Sequence, residues 1–250
     1  MSLRHHEIAE ARSRLLNPLT EDKLRTLGEA VRPREGQRHL DLACGKGELG
    51  ARWAQEYGTS GVGVDISKVF LDAAAARAAE LGVAGRLAFE RGDAGEYRAT
   101  GPDAAGFDLV TCLGATWIGG GLSGTLDLMR RSLRPGGTVV VGEVYWKAEP
   151  SDEACETLGL ERDDYADLIG TDARFEAAGF ELIEMVLADG DSWDRYVASQ
   201  WRTISDWLLA NPDSPDAADM RTFLRQSRSS HLAHGRDVLG WGAFVLRPTR

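Results

Sequence analysis

Hydrophobic side chains in this chain come in short, nearly continuous runs separated by longer stretches in which they recur every three to four residues. The short runs predict strands at residues 38–43, 61–65, 86–91, 107–113 and 138–144, then at 180–188 and 239–247. Between the early strands, Leu49, Trp53 and Tyr57 mark one face of a helix, and Ser67 is a good N-cap for an alanine-rich helix reaching Leu81. Leu122, Leu126, Met129 and Leu133 mark another, stopped by Arg134-Pro-Gly-Gly137. Residues 1–36 read as helical, carrying Leu16, Leu19, Leu24 and Leu27 with an interruption at Pro18. Strands and helices alternating at these lengths predict an α/β chain: a parallel sheet with helices on both faces and ligands at the carboxyl ends of its strands.

The regularity weakens after the fifth strand. Residues 145–169 form an acidic connection, and a helix near 171–178 ends at Gly179. About fifty residues then separate the sixth strand from the last; they carry Trp193, Val197, Trp201, Ile204 and Leu208 at helical spacing, a turn-rich Asn211-Pro-Asp-Ser-Pro215 and another helix. An insertion of that length in a compact fold serves as a lid or binding element.

Composition changes this picture by exclusion. At 250 residues, 43% hydrophobic and 27% charged, the chain reads as an ordinary soluble protein with one well-filled core. A net charge of −10 argues against a surface for nucleic-acid phosphates. No 18-residue apolar run and no basic-then-apolar start is present, so no membrane partner and a cytoplasmic location are expected. Cys44, Cys112 and Cys155 lack CxxC spacing and are expected as free thiols, while His5 and His6 have no ligand partners to complete a metal site.

The chemistry concentrates where the first strand ends, in His39-Leu-Asp-Leu-Ala-Cys-Gly-Lys-Gly-Glu-Leu-Gly50. Gly45 and Gly47 let a ligand approach the main chain, and the free amides of the following helix point at it. Gly45-Lys-Gly47-Glu-Leu-Gly50 also matches the dinucleotide fingerprint, with Asp65 about twenty residues on, so the loop alone leaves two cofactor classes open. Each acid also has an ordinary structural role open to it: Asp65 as a helix starter, Asp41 as a strand-end acid, Gly92-Asp93 as a turn.

Five motifs in register, Asp41-Leu-Ala-Cys-Gly-Lys-Gly47, Val64-Asp65, Gly92-Asp93-Ala94, Phe107-Asp-Leu-Val110 and Leu133-Arg-Pro-Gly-Gly137, resemble those of the class I S-adenosylmethionine-dependent methyltransferases. The resemblance covers about residues 36–190 plus the last strand. More narrowly, Gly114-Ala-Thr-Trp-Ile-Gly-Gly-Gly121, Gly142-Glu-Val-Tyr-Trp146, Glu184–Asp189 with Trp193-Asp-Arg-Tyr196, and Gly240-Trp-Gly242 resemble a bacterial subgroup acting on small molecules. It implies a Rossmann-like methyltransferase fold, a three-layer αβα sandwich whose mostly parallel seven-stranded sheet has its last strand antiparallel. One domain over 1–250 is expected: a helical cap (1–36), a cofactor-binding half (37–144) and lid-like insertions (145–170 and 190–238).

The same resemblance implies S-adenosyl-L-methionine as cofactor and S-adenosyl-L-homocysteine as product. Gly45 and Gly47 then approach the methionine portion, Asp41 stabilises its ammonium region, Asp65 accepts from the ribose hydroxyls, and Asp93 with Ala94 reads the adenine edge. Ile66 and Leu113 complete the cofactor set, with Ala43 standing where the family has its first glycine. Asp108 reads as a structural residue. The dehydrogenase alternative lacks a Tyr followed four residues later by Lys, and Leu113-Gly-Ala-Thr116 lacks the Asn/Asp-Pro-Pro-Tyr pattern of base and amide methylation.

Methyl transfer asks mainly for alignment and exclusion of water. Thr116, Trp117 and Trp146 are expected to face a small-molecule acceptor, with Glu143, Tyr145 and His231 as candidates for binding or deprotonating it. The chain is then a methyltransferase acting as monomer or homodimer; a cofactor-binding protein without methyl transfer, or an NAD-dependent oxidoreductase, are the alternatives.

Overall fold

The computed structural model describes residues 2–249. Its strands are β1 (Arg38–Leu42), β2 (Ser60–Asp65), β3 (Leu87–Arg91), β4 (Phe107–Leu113), β5 (Leu133–Trp146), β6 (Phe180–Leu187) and β7 (Leu239–Pro248). Its helices are α1 (Leu3–Ala9), α2 (Glu21–Val31), α3 (Glu48–Tyr57), α4 (Lys68–Glu80), α5 (Leu122–Ser132), α6 (Asp152–Leu158), α7 (Leu168–Ala177), α8 (Gly190–Ala210), α9 (Ala217–Ser230) and the single turn α10 (Arg236–Val238). The strands form one sheet in the order β3-β2-β1-β4-β5-β7-β6, with β1 to β5 parallel and β7 antiparallel to both its neighbours. This is the Rossmann-like αβα sandwich with its last strand antiparallel. The order reverses between β1 and β4, which opens a crevice at their carboxyl ends.

The central strands are apolar on both faces. Leu40, Val110, Val139 and Val141 pack with Leu126 and Met129 of α5 and Phe175 of α7. Leu109, Val140, Trp241 and Val245 face the other way, onto Leu24 and Leu27 of α2 and Leu49 and Trp53 of α3. A fully buried side chain of this size contributes about 1.5–3 kcal/mol, so a one-residue slip of β1, β4 or β5 is strongly disfavoured. Edge strand β3 exposes Ala88, Glu90 and Arg91. Beside the sandwich, α1 packs Ile8 and Ala9 against Ile204 of α8 and Met220 of α9.

Three expectations are corrected. Residues 1–36 are not one interrupted helix: α1 and α2 flank a strap, residues 10–20, that is fastened by side chains from elsewhere rather than by helical hydrogen bonds. The glycines of Arg134-Pro-Gly-Gly137 enter β5 instead of only ending α5, with Leu133 opposite Phe107 and Thr138 opposite Leu109. The helix near 171 starts at Leu168, because Asp167 accepts the Gly170 N–H at 2.7 Å and caps it. Among the described residues no helix is long and apolar enough to cross a membrane.

The β1–α3 turn is packed as well as bent. Gly47 has φ +67°, and a Cβ there would lie 2.8 Å from Ala74 Cβ and 2.9 Å from Phe89 Cε1. Gly82 has φ +72° with nothing within 4 Å. Gly82→Ala should therefore cost about 1 kcal/mol of left-handed strain alone, whereas Gly47→Ala should cost about 3 kcal/mol from strain plus overpacking, as read by urea unfolding. Equal costs would contradict this packing.

Candidate active site

The floor of the crevice is the turn after β1. Ala43, Gly45 and Gly47 all have positive φ, at 54°, 55° and 67°. Alanine in place of the first glycine therefore keeps the left-handed turn, at about 1–2 kcal/mol of strain. Asp65, buried at the end of β2, accepts the Gly45 N–H through Oδ2 and the Ser67 N–H through Oδ1, both at 2.8 Å. Burial pushes its carboxyl up and these amides pull it down, with the net shift upward. Each oxygen retains acceptor capacity for a further donor. Gly47, the α3 N-cap, supplies no side-chain acceptor, so the first-turn amides keep donors to spare. Glu48 in that turn is buried, and although burial raises its carboxyl, Arg77 (2.7 Å) and Arg52 (2.7 Å) hold it below the usual range. It is thereby committed to structure.

Above this floor lies a cavity of about 750 Å³. Asp41, Ala43, Gly45, Asp65, Ile66, Asp93, Ala94 and Leu113 all line it, and Gly47 does not, being turned onto Ala74 and Phe89. Asp41 is pushed up to about 7 by burial, against a 2.5 Å hydrogen bond donated by Thr111 Oγ1 and with the Asp65 charge adding to the rise. Asp93 is exposed and accepts the Gly95 N–H through Oδ1 at 2.8 Å. Ile66 and Trp117, 55% and 72% exposed, give the cavity an apolar rim. A larger open groove of about 1080 Å³ lies where the chain enters the sheet, along Arg34, Gln37 and Gly137, away from the glycine turn.

The cavity has a roof that the sequence reading missed. Lys46, from the glycine turn itself, donates to the carbonyls of Glu10 (2.7 Å), Ala11 (3.1 Å) and Ser13 (2.6 Å), so the strap is tied down across the crevice. Burial lowers the Lys46 ammonium, while the Glu10 charge opposes that. From α8, the Tyr196 hydroxyl lies 2.7 Å from Glu10 Oε1 and 3.0 Å from the Leu16 carbonyl, and Gln200 Nε2 donates to the same Glu10 oxygen at 2.6 Å. Leu15, Leu16, Asn17, His6 and Tyr196 consequently line the cavity. The available signal was Lys46, a lone charge inside a glycine turn, and Tyr196 at the end of a recognised motif.

A family model described as a methyltransferase domain matches residues 40–137. The S-adenosylmethionine-dependent methyltransferase of Geobacter sulfurreducens, solved in complex with S-adenosyl-L-homocysteine, shares 42% identity over 99% of this chain and 98% of its own, with a TM-score of 0.93. The uncharacterised protein YjhP of Escherichia coli (strain K12) is 41% identical over 96% of each chain. The ubiquinone/menaquinone biosynthesis C-methyltransferase UbiE of Cellvibrio japonicus (strain Ueda107) is 31% identical over 78% of this chain and 71% of its own. The chain belongs to the S-adenosylmethionine-dependent methyltransferases. The oxidoreductase alternative left open by the glycine fingerprint falls with that membership.

On the acceptor side this methyltransferase departs from the sequence expectation. Of Thr116, Trp117 and Trp146, only Trp117 lines the cavity. Trp146 is buried, its Nε1–H donated to the Arg162 carbonyl at 2.9 Å and its ring set edge-on to Tyr165. Tyr145 is a core residue, packed where Gly240 leaves room. Glu143 is buried outside the lining; burial raises its carboxyl, opposed by the Val144 N–H and the Thr116 hydroxyl. His231 opens a π-helical turn after α9 and hydrogen-bonds Asp194 at 2.8 Å. For Tyr145 and Trp146 the physical reason is that the end of β5 is covered by the chain leading to α7, since Trp146 N–H donates to the Ala166 carbonyl. The three cysteines are free.

Lys46→Met should release the strap, because three charge-assisted hydrogen bonds are lost at once. Trypsin cleavage after Arg12 and Arg14 should accelerate about tenfold or more, corresponding to about 1.4 kcal/mol of local stability. Unchanged cleavage would show that the strap is held without Lys46.

Proposed function

We propose that this methyltransferase transfers a methyl group to a small-molecule acceptor by in-line displacement, with S-adenosyl-L-methionine held in the 750 Å³ cavity. The observation that carries the reading is the roofed cavity itself: Asp41, Asp65 and Asp93, the lining acids not committed to arginines as Glu48 is, lie on its floor and wall beneath a strap tied by Lys46. The donor set fits the cofactor, since carboxylates accept from a vicinal diol, an exocyclic amine and an ammonium group. When bound, the cofactor supplies an activated methyl on sulfur with a neutral leaving group.

What the protein adds is placement. Asp65 orients the ribose while staying rigid through its two backbone bonds, Asp41 faces the ammonium region, and Asp93 with Ala94 takes the adenine edge between the apolar contacts of Ile66 and Leu113. Leu15 and Leu16 exclude water from above, and Trp117 and Tyr196 face the acceptor. Alignment of this kind lowers a barrier by about 7–11 kcal/mol in favourable cases. Glu143, Tyr145, Trp146, Thr116 and His231 lie outside the lining and make no contact with the acceptor on this reading. The acidic chain and the roofed cavity support a small acceptor over a polymer, as does the name of the Cellvibrio japonicus relative, a C-methyltransferase of quinone biosynthesis.

Calorimetric titration with S-adenosyl-L-homocysteine should give micromolar-range binding, NAD should give none, and Asp65→Ala should weaken the sulfur nucleotide at least about tenfold. Binding of NAD in preference to the sulfur nucleotides would overturn the proposal.

A further inference from the structure

Beneath the cavity floor, His39 of β1 and Thr111 of β4 are buried, have no place in the functional reading above, and form one chain of hydrogen bonds with Asp41. Thr111 Oγ1 lies 2.5 Å from Asp41 Oδ1 and 2.8 Å from His39 Nε2. The hydroxyl has one proton. A carboxylate oxygen can only accept, so that proton goes to Asp41 and the Thr111 lone pair must accept from the ring, which makes His39 the Nε2–H tautomer. Burial lowers His39 to about 3, so it stays neutral. Its ring lies against Trp53, with centroids 4.9 Å apart, and near Gly50 of α3, where a Cβ would lie 3.9 Å from Nδ1.

With Asp41 protonated on Oδ1 and donating to Thr111, the hydroxyl would donate in turn to His39 Nε2, which requires the Nδ1–H tautomer, because the Leu40 carbonyl at 3.5 Å is a poor acceptor. The ionised carboxylate therefore goes with the Nε2–H ring and the neutral acid with the Nδ1–H ring.

We propose that His39 and Thr111 are positioning residues for cofactor binding: the ring N–H commits the Thr111 proton to Asp41, keeping that carboxylate charged and turned to receive the ammonium group of the cofactor. The proposal rests on the assignment of the cavity to S-adenosylmethionine. The other titratable groups facing Asp41 are Asp65 of β2, Cys44 of the turn and Cys112 of β4. Burial first, and the Asp41 charge second, raise both thiols, so neither competes as an anion. Asp65 faces His6 of α1 in turn. Lys46 is engaged by the strap carbonyls, and Arg52 and Arg77 by Glu48, so none of these cations neutralises Asp41.

The pH sign follows. Asp41 sits near 7 and binds a cationic group only when ionised, so affinity for S-adenosyl-L-homocysteine rises with pH through that region and levels off above it. Removing the Thr111 hydroxyl raises the Asp41 carboxyl further and moves the rise to higher pH. Calorimetry of the full-length protein with S-adenosyl-L-homocysteine from pH 6 to 8.5 tests this, because the wild-type to variant ratio cancels titration of the nucleotide itself. Thr111→Val should bind about tenfold more weakly at pH 6.5, with the deficit shrinking to about twofold at pH 8.5, since one lost hydrogen bond to a charged group shifts such an equilibrium by at least that much. Thr111→Ser should restore the wild-type profile, and His39→Leu should shift it in the same direction as Thr111→Val.

Without ligand, ¹⁵N NMR should show His39 as a neutral Nε2–H ring that does not titrate between pH 5 and 9, a readout that survives even if a variant fails to fold. A deficit in Thr111→Val that is equal at every pH, or a titrating His39, would overturn the proposal while leaving the cavity assignment intact. Failure of the wild-type protein to bind the nucleotide at any pH would overturn both.

Discussion

Two hydrogen bonds to one buried carboxylate organise this methyltransferase. Asp65 stands at the last position of β2 and holds the Gly45 and Ser67 amides together, so the turn after β1 and the start of α4 are fixed to the same side chain. Ser67 then caps α4 through the Phe70 N–H at 3.1 Å and donates to Glu7 of α1 at 2.7 Å. The floor, one wall and the base of the roof all refer back to that carboxylate. Charge-assisted bonds of this kind are about twice as strong as neutral ones, and they offset part of the cost of burying the acid.

The rest of the site is built from the topology. Because the strand order reverses at β1 and β4, the crevice opens above Asp41 and Leu113, and the helices on either face leave it uncovered. The chain closes it from outside the sandwich, with α1 and the strap held against α8 by Glu10, Tyr196 and Gln200. A cavity bounded by a rigid floor and a separately fastened roof suits a reaction in which alignment and dryness supply most of the catalysis.

Much of this was legible in the sequence, and the exceptions have a shared cause. Strands β1, β2 and β4 and helices α3 to α5 follow from local periodicity and turn chemistry, and the glycine turn and its acids follow from spacing. The strap could not be read, since its carbonyls are satisfied by Lys46 at a separation of 33 to 36 residues and by Tyr196 at 180. Tyr145 and Trp146 were placed at the pocket on the rule that strand ends carry the site. That rule holds at the reversal point, and β5 lies one strand beyond it, where the acidic connection covers its end through Arg162 and Ala166. His231, offered as a candidate for the acceptor, is paired with Asp194, 37 residues away on α8, a partner that sequence spacing does not reveal.

Whether the cavity over the β1 turn is the cofactor site, with the strap as its roof, is tested most directly by hydrogen–deuterium exchange with and without S-adenosyl-L-homocysteine. A cofactor site there predicts that amides in residues 10–17, 43–48 and 93–95 slow together on addition of the nucleotide. Protection confined instead to the groove along residues 32–37 and 183–186, with the strap unaffected, would contradict it.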